Sequence, residues 1–310
     1  MLPATINSQS VFEITSCGVA AAPLFQTRCS GSVIAVFDNS FYVDVGGHMA
    51  CIVGDAAPPG PLNVSASWPE QLSWLACGLK RGDRVSVVGR SIIIGQSYRF
   101  NSSFARIWRP PPTPKNWNRD TLRQGLNALT EVFQLQAPAP SFARLMLEAD
   151  KQGKLNEVDT IVRERLSAIR GTTVTNGDVG GAANRLQKLI GLGEGLTPSG
   201  DDFIGGMLIA LVRAGHHEAA KSIYSTIMPA ARERTNRISL AHLDCAAQGL
   251  ASLPLHHLLN AVLNGNDVEV AQLANDINQI GHTSGWDIAA GMAFALESIA
   301  NQSDAELGAA

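Results

Sequence analysis

Two stretches, starting at Ser199 and Ser284, hold the side chains whose types and spacing most suggest chemistry. They read Ser199-Gly200-Asp201-Asp202-Phe203-Ile204-Gly205-Gly206-Met207 and Ser284-Gly285-Trp286-Asp287-Ile288-Ala289-Ala290-Gly291-Met292. Both fit Ser-Gly-x-Asp-apolar-apolar-x-Gly-Met. A hydroxyl able to accept from orphan amides, an acid three residues on and an apolar run beyond predict a helix N-terminus in each copy. Glycine and threonine precede both, in Gly191-Leu-Gly-Glu-Gly-Leu-Thr-Pro198 and Gly281-His-Thr283, so the backbone can approach a ligand closely where amides point outward. If the two ends converge, they make one polar site. Its candidate catalytic residues are Asp201, Asp202 and Asp287. Its candidate substrate-binding residues are Gly193, Gly195, Thr197, Ser199, Gly200, Thr283, Ser284 and Gly285, with Thr235 and Ser239 from the segment between.

The chemistry follows from a mismatch. A Walker loop would place Gly-Lys-Ser or Gly-Lys-Thr at the helix start, and this chain places two aspartates there. A bare phosphate would be repelled. Amides and carboxylates together suit a ligand with an oxyanion and an amide or amino group, or one with a bound metal. No metal site is read from the spacing, although Asp201, Asp202 or Asp287 could hold Mg²⁺. Helix capping alone is the competing explanation, since proline in the first turn and acids behind it are expected on structural grounds.

Between the two copies, Thr235 and Ser239 stand four residues apart and are expected to share a helix face, with His242 on the rim. Arg232, Arg234 and Arg237 could supply countercharge to an anion or lie on a solvated helix start. His282 could be a general base or a loop donor. No His-Glu-x-x-His and no Gly-x-Ser-x-Gly occurs, which weakens zinc protease and serine hydrolase readings.

The elements that must position these residues change character near residue 110. Short β-rich runs come first: Val11 to Thr15, Ser32 to Phe37, Phe41 to Val45, Ala50 to Val53, Leu62 to Ser67, Arg84 to Val88, Ser91 to Ile94 and Phe104 to Trp108. Turn residues at close spacing and the lack of alternating helices predict an antiparallel β barrel or sandwich over 1–110. The proline-rich stretch Arg109-Pro-Pro-Pro-Thr-Pro-Lys-Asn-Trp117 is helix-incompatible, and 111–118 is read as a linker. Helical spacing follows, with Leu122, Leu126, Leu129 and Phe133 on one face, Leu145, Met146 and Ala149 on a second, and Leu155, Val158, Ile161, Val162, Leu166 and Ile169 on a third. Residues 119–310 are expected to form an all-α domain of roughly eight to ten helices. The fold class is α+β.

At 310 residues, 45% hydrophobic and 16% charged, the chain has the profile of a core-forming globular protein. A net charge of -3 supplies no basic field for a nucleic-acid partner. Five cysteines, Cys17, Cys29, Cys51, Cys77 and Cys245, are odd in number and form no Cys-x-x-Cys pair, so reduced, mostly buried thiols are expected. No leader or membrane-spanning run is read, and the expected location is the cytoplasm.

Three segments resemble the signatures of a bacterial family catalogued as a domain of unknown function, which includes the AllH-type subunit of the oxamate carbamoyltransferase of anaerobic allantoin catabolism. They are Gly193-Glu-Gly-Leu-Thr-Pro-Ser-Gly-Asp-Asp202 with Gly206-Met-Leu, the Thr235 to Ser239 element running into Ala246-Ala-Gln-Gly249, and Gly281-His-Thr-Ser-Gly-Trp-Asp287. The resemblance implies one subunit of a hetero-complex that interconverts oxalurate plus phosphate with oxamate plus carbamoyl phosphate. Such ligands present phosphate, carboxylate and carboxamide groups, which suit amide-rich helix ends and aspartates. A non-catalytic metabolite-binding or scaffold subunit and a metal-dependent hydrolase are the alternatives.

Overall fold

The computed structural model describes residues 10–26, 28–69, 71–147, 157–169, 174 and 179–302. The chain divides into two compact units, Met1–Pro110 and Pro111–Ala310.

The first unit is built from strands Ser10–Gly18 (β1), Cys29–Val36 (β2), Ser40–Val45 (β3), His48–Gly54 (β4), Asn63–Ala66 (β5), Arg84–Val88 (β6), Ser91–Ile94 (β7), Tyr98–Asn101 (β8) and Arg106–Trp108 (β9). Neighbours run β5-β4-β3-β2-β6-β7-β8-β1, and β1 pairs back onto β5, so eight strands close into a barrel. Closure removes the exposed sheet edges that an open sandwich would leave. Alternation sets the inward face: Val85 and Val87, Ile92 and Ile94, Tyr98 and Phe100 are buried while their neighbours are not. Trp74 fills the interior, with its ring 5.0 Å from Phe41 and 5.3 Å from Tyr98 in edge-on contact.

Six of the nine strand pairings are antiparallel, and three are parallel: β4 with β5, and β1 with both β8 and β9. Strands β8 and β9 follow one another along the same edge of β1, opposite Ser10 to Glu13 and then Ser16 to Gly18. The sequence reading omitted β8, a four-residue strand whose pairing with the distant β1 leaves no local mark. All five cysteines are free, and burial pushes the Cys17, Cys51 and Cys245 thiols up to about 12, which leaves them unreactive.

In the second unit, residues 111–118 form no regular element. The Arg213 guanidinium and Asn260 side-chain amide donate to the carbonyls of Pro111 and Pro112. The described helices are Arg119–Gln136 (α1), Phe142–Leu147 (α2), Glu157–Ile169 (α3), Val179–Leu186 (α4), Ser199–Arg213 (α5), His217–Arg234 (α6), Arg237–Ala246 (α7), Leu253–Asn264 (α8), Asp267–Asn278 (α9) and Ser284–Ala300 (α10). Of the positions read as helical, Ala149 and Leu155 lie outside the described residues. Helix α1 starts at a capping box in which Asn118 accepts from the amides of Asp120 and Thr121 and the Thr121 hydroxyl accepts from the Asn118 amide.

Helices α5 and α10 are apolar almost all round and are buried along nearly their whole length, which makes them the centre of the helical core. They cross where neither has a side chain. A Cβ on Gly206 would sit 1.9 Å from the Ile288 carbonyl oxygen, and one on Gly291 would sit 1.8 Å from that of Phe203. Gly206 and Gly291 hold the same place in the two sequence copies, as do Phe203 and Ile288. The contact is therefore reciprocal, and the copies are related by a local pseudo-two-fold. Among the described residues no helix is long and apolar enough to cross a membrane.

Candidate functional site

Each Ser-Gly-x-Asp copy does start a helix, but neither serine caps it. Ser199 and Ser284 are the first helical residues, the capping positions fall to Pro198 and Thr283, and no side chain caps either end. The Pro198 carbonyl accepts from the Asp201 and Asp202 amides at 2.9 and 3.0 Å, and the Thr283 carbonyl accepts from the Asp287 amide at 2.9 Å. This leaves the hydroxyls free to turn to the partner helix. The hydroxyls of Thr197 and Ser284 lie 3.1 Å apart in a mutual hydrogen bond, so the two helix starts meet. Both positive helix ends therefore act at one place.

The three aspartates under this junction differ in occupation. Both oxygens of Asp201 are engaged. Its Oδ1 accepts from the Gly191 amide at 2.8 Å, and its Oδ2 accepts from the hydroxyls of Thr235 and Ser239 at 2.5 and 2.6 Å. It ties the glycine loop to the turn between α6 and α7. Asn236 makes a second tie, capping α7 through the amides of Ile238 and Ser239 while its side-chain amide donates to the Leu196 carbonyl at 2.8 Å.

Asp202 and Asp287 occupy equivalent places in the two copies, and both are buried, at 6% and 0% exposure. Each has a buried Oδ2 with no hydrogen-bond partner among the described residues. An uncompensated buried carboxylate oxygen is costly, and the usual response is to retain a proton. Burial pushes the Asp202 carboxyl well above the usual carboxylate range; the Ser284 hydroxyl opposes the shift, the nearby Asp287 adds to it, and the Thr197 hydroxyl opposes it again. Burial pushes Asp287 up to about 6, held down by the Phe142 amide, which donates to its Oδ1 at 2.6 Å, and by the Ser199 and Thr283 hydroxyls. The hydroxyls thus reach crosswise, Ser284 to the first copy's acid and Ser199 to the second's. Thr197, Ser199, Thr283 and Ser284 are half-buried, so they form an outer hydroxyl tier over two buried carboxyls.

The remaining expected residues fall into three groups. Gly193 and Gly195 are exposed and, like Gly191, have positive φ, so the alternate glycines answer to the left-handed backbone of the loop itself. Gly200 and Gly285 are buried where a Cβ would meet the carbonyl oxygens of Leu189 and Ile277 at 1.9 and 2.2 Å, so their lack of a side chain admits neighbouring backbone. Thr235 and Ser239 do not share a helix face. Thr235 is the extended residue closing α6 and Ser239 lies in the first turn of α7, and both reach Asp201 through that break.

Of the three arginines, Arg237 stands at a solvated helix start, as the first residue of α7, while Arg232 and Arg234 lie in the last turn of α6. Pro229 sits inside α6, whose burial of Ile223, Ile227, Met228, Ala230 and Ala231 holds the helix through the missing amide. Arg232, Arg234, Arg237 and His282 are exposed. Among the described residues, no group of three or more His, Cys, Asp or Glu side chains is arranged to hold a metal. The sequence reading missed Phe142, Asn236 and the Gly206 and Gly291 crossing. Asn236 had a readable signal, a capping residue immediately before the helix.

Residues 189–296 match the sequence model of a family described as oxamate carbamoyltransferase subunit AllH. The match covers about a third of the chain. The resemblance read from the three motifs is thus shown over the stretch that carries them. The AllH segment contains both helix starts, all three aspartates, Thr235 and Ser239, and leaves the barrel and α1 to α4 outside. Phe142, which donates to Asp287, is therefore contributed from beyond it. No solved structure matches the chain.

Proposed function

We propose that this chain is a subunit of an oxamate carbamoyltransferase-like enzyme and that the junction of α5 and α10 binds a small ligand bearing an oxyanion and an amide. One observation carries the reading: the AllH-matching segment brings its two sequence copies to a single point, where two buried acceptors lack partners beneath a tier of hydroxyls. Oxamate and carbamoyl phosphate both pair an oxyanion with a carboxamide, which matches that donor and acceptor set.

In this reading the residues position and stabilise; none acts as a covalent nucleophile. Hydroxyls of Thr197, Ser199, Thr283 and Ser284, with the positive ends of two helices, hold the oxyanion and the charge that develops on the transferred carbamoyl oxygen. Asp202 and Asp287 face the amide. Asp201 organises the loop through Gly191, Thr235 and Ser239. Partner subunits complete the reaction of oxalurate plus phosphate to oxamate plus carbamoyl phosphate.

The test is calorimetric titration of the purified chain with oxamate and with carbamoyl phosphate, alongside turnover assays with and without partner subunits. Binding by the chain with turnover in the complex is expected. Binding with no loss of complex turnover when Asp202 and Asp287 are replaced would make the chain a metabolite-binding subunit. Turnover that appears only on adding Mg²⁺ or Mn²⁺, without a carbamoyl acceptor, would favour a hydrolase.

A further inference from the structure

The two equivalent acids are not equivalent in their surroundings. Both acids are met by hydroxyls and both have an open Oδ2, but Asp287 also receives the Phe142 amide at Oδ1, whereas Asp202 lies in the field of Asp287. Two buried carboxyls this close cannot both carry charge at low cost, so one proton is shared unequally between them. The amide donor on Asp287 favours charge there and leaves the shared proton with Asp202.

We propose that Asp202 and Asp287 form a donor and acceptor pair for a primary carboxamide, Asp202 giving its O–H to the carbonyl oxygen and Asp287 taking an N–H. This rests on the function proposed above and names the group that the site reads. A carboxylate ligand of the same shape fits poorly, because it brings a second negative charge to Asp287 and no N–H for its open oxygen. A tertiary amide fits no better, since it has no N–H.

The experiment compares oxamate, oxalate and N,N-dimethyloxamate by calorimetry on the wild-type chain, and on its assembled complex. Oxamate is expected to bind about 10-fold or more tighter than either analogue, since a polar site rejects a ligand that leaves its groups unpaired. Variants add an asymmetry. In Asp287→Asn the Phe142 amide fixes the side-chain oxygen, so the new NH₂ faces the ligand's own N–H and binding weakens by about 100-fold. Asp202→Asn keeps a donor towards the carbonyl and weakens binding by about 5-fold. Equal binding of oxamate and oxalate to the wild type overturns the pair, as does equal damage from the two variants, while either result leaves oxyanion binding and the proposed function standing. Failure of the wild-type complex to bind oxamate or carbamoyl phosphate at all overturns the proposed function with it. The analogue comparison needs no variant and so survives any misfolding.

Discussion

The start of α5 and the start of α10 show what one motif can do in two surroundings. Both copies place a serine at the first helical position, a glycine where neighbouring backbone presses in, an acid under the junction and a second glycine at the crossing. They differ at the third residue. The first copy has Asp201, which ties the glycine loop to the turn before α7. The second has Trp286, buried at 1% exposure, with its ring N–H on Asn278 Oδ1 at 3.1 Å. The third residue of the first copy is thus held by hydrogen bonds to a loop, and that of the second by burial and one hydrogen bond to α9. Of the two acids in equivalent places, Asp287 receives a backbone amide from outside the pair of helices, through Phe142. Duplication of a motif gives a symmetric frame, and residues beyond it make the two acids chemically distinct.

The largest expected effect breaks the symmetric part. Gly206→Ala and Gly291→Ala each force a methyl into a backbone carbonyl. Each should cost about 3 kcal/mol or more, at the upper end for overpacking, and the double variant should cost less than the sum because the two contacts are one interface. Gly205→Ala, whose Cβ would meet the Ala246 Cβ at 3.7 Å, is the control and should be neutral or stabilising by up to about 1 kcal/mol through helix propensity. Urea unfolding measures all four. Equal, small effects at the three glycines would refute the reciprocal crossing.

The next effect separates the acids by pH. Folded Asp287 keeps its proton up to about 6, while an unfolded aspartate releases it near 4, so the folded chain binds more protons between those values. Stability contributed by this group is full at low pH and is lost as pH rises through that window. Asp201 and Asp202 are the acidic neighbours at the junction, and burial shifts Asp202 in the same direction. The stability of Asp287→Asn relative to wild type should therefore improve by about 2 kcal/mol on going from roughly pH 4 to pH 7, as read by denaturant unfolding at each pH. A relative stability independent of pH would mean that Asp287 is an ordinary, solvated carboxylate.

Asp201→Ala tests the loop tie that the second copy lacks. It strands the Gly191 amide and the Thr235 and Ser239 hydroxyls, with an expected loss of about 2 kcal/mol. Increased proteolysis within 191–198 should accompany it. An unchanged proteolysis pattern would show that the loop is held by other contacts. The smallest effects belong to Arg232→Ala, Arg234→Ala and Arg237→Ala, which change exposed side chains and should shift stability by no more than about 0.5 kcal/mol and leave ligand binding intact. A loss of oxyanion affinity in any of them would bring the arginines back into the site.

The parts of the molecule legible in the sequence are those with a local cause. Alternation in Arg84 to Val88 and Ser91 to Ile94, and the apolar spacing from Leu122 to Phe133, announce strands and a helix. The repeated Ser-Gly-x-Asp pattern announces two helix starts. The parallel pairings of β1 with β8 and of β4 with β5 have no such cause, because register between distant strands depends on the barrel as a whole. The same holds for the Phe142 amide, which reaches Asp287 across 145 positions. Pro229 stands inside α6, where the burial around it holds the helix through the missing amide. The three loop glycines were read as a ligand's approach, yet positive φ at Gly191, Gly193 and Gly195 is sufficient reason for them. The equivalence of Gly206 and Gly291 stood in the repeat, but its meaning required the crossing.

The most direct test of the account is a carbon-13 titration of aspartate side chains, with carbamoyl phosphate or oxamate added to the labelled protein near pH 7. If the two helix ends form one ligand site, the Asp202 and Asp287 carboxyl signals move together at the same ligand concentration, while those of Asp120 and Asp267 stay fixed. Movement of only one signal, or of neither, in the chain and in its assembled complex would contradict a shared site and reduce the repeat to two helix starts packed against each other.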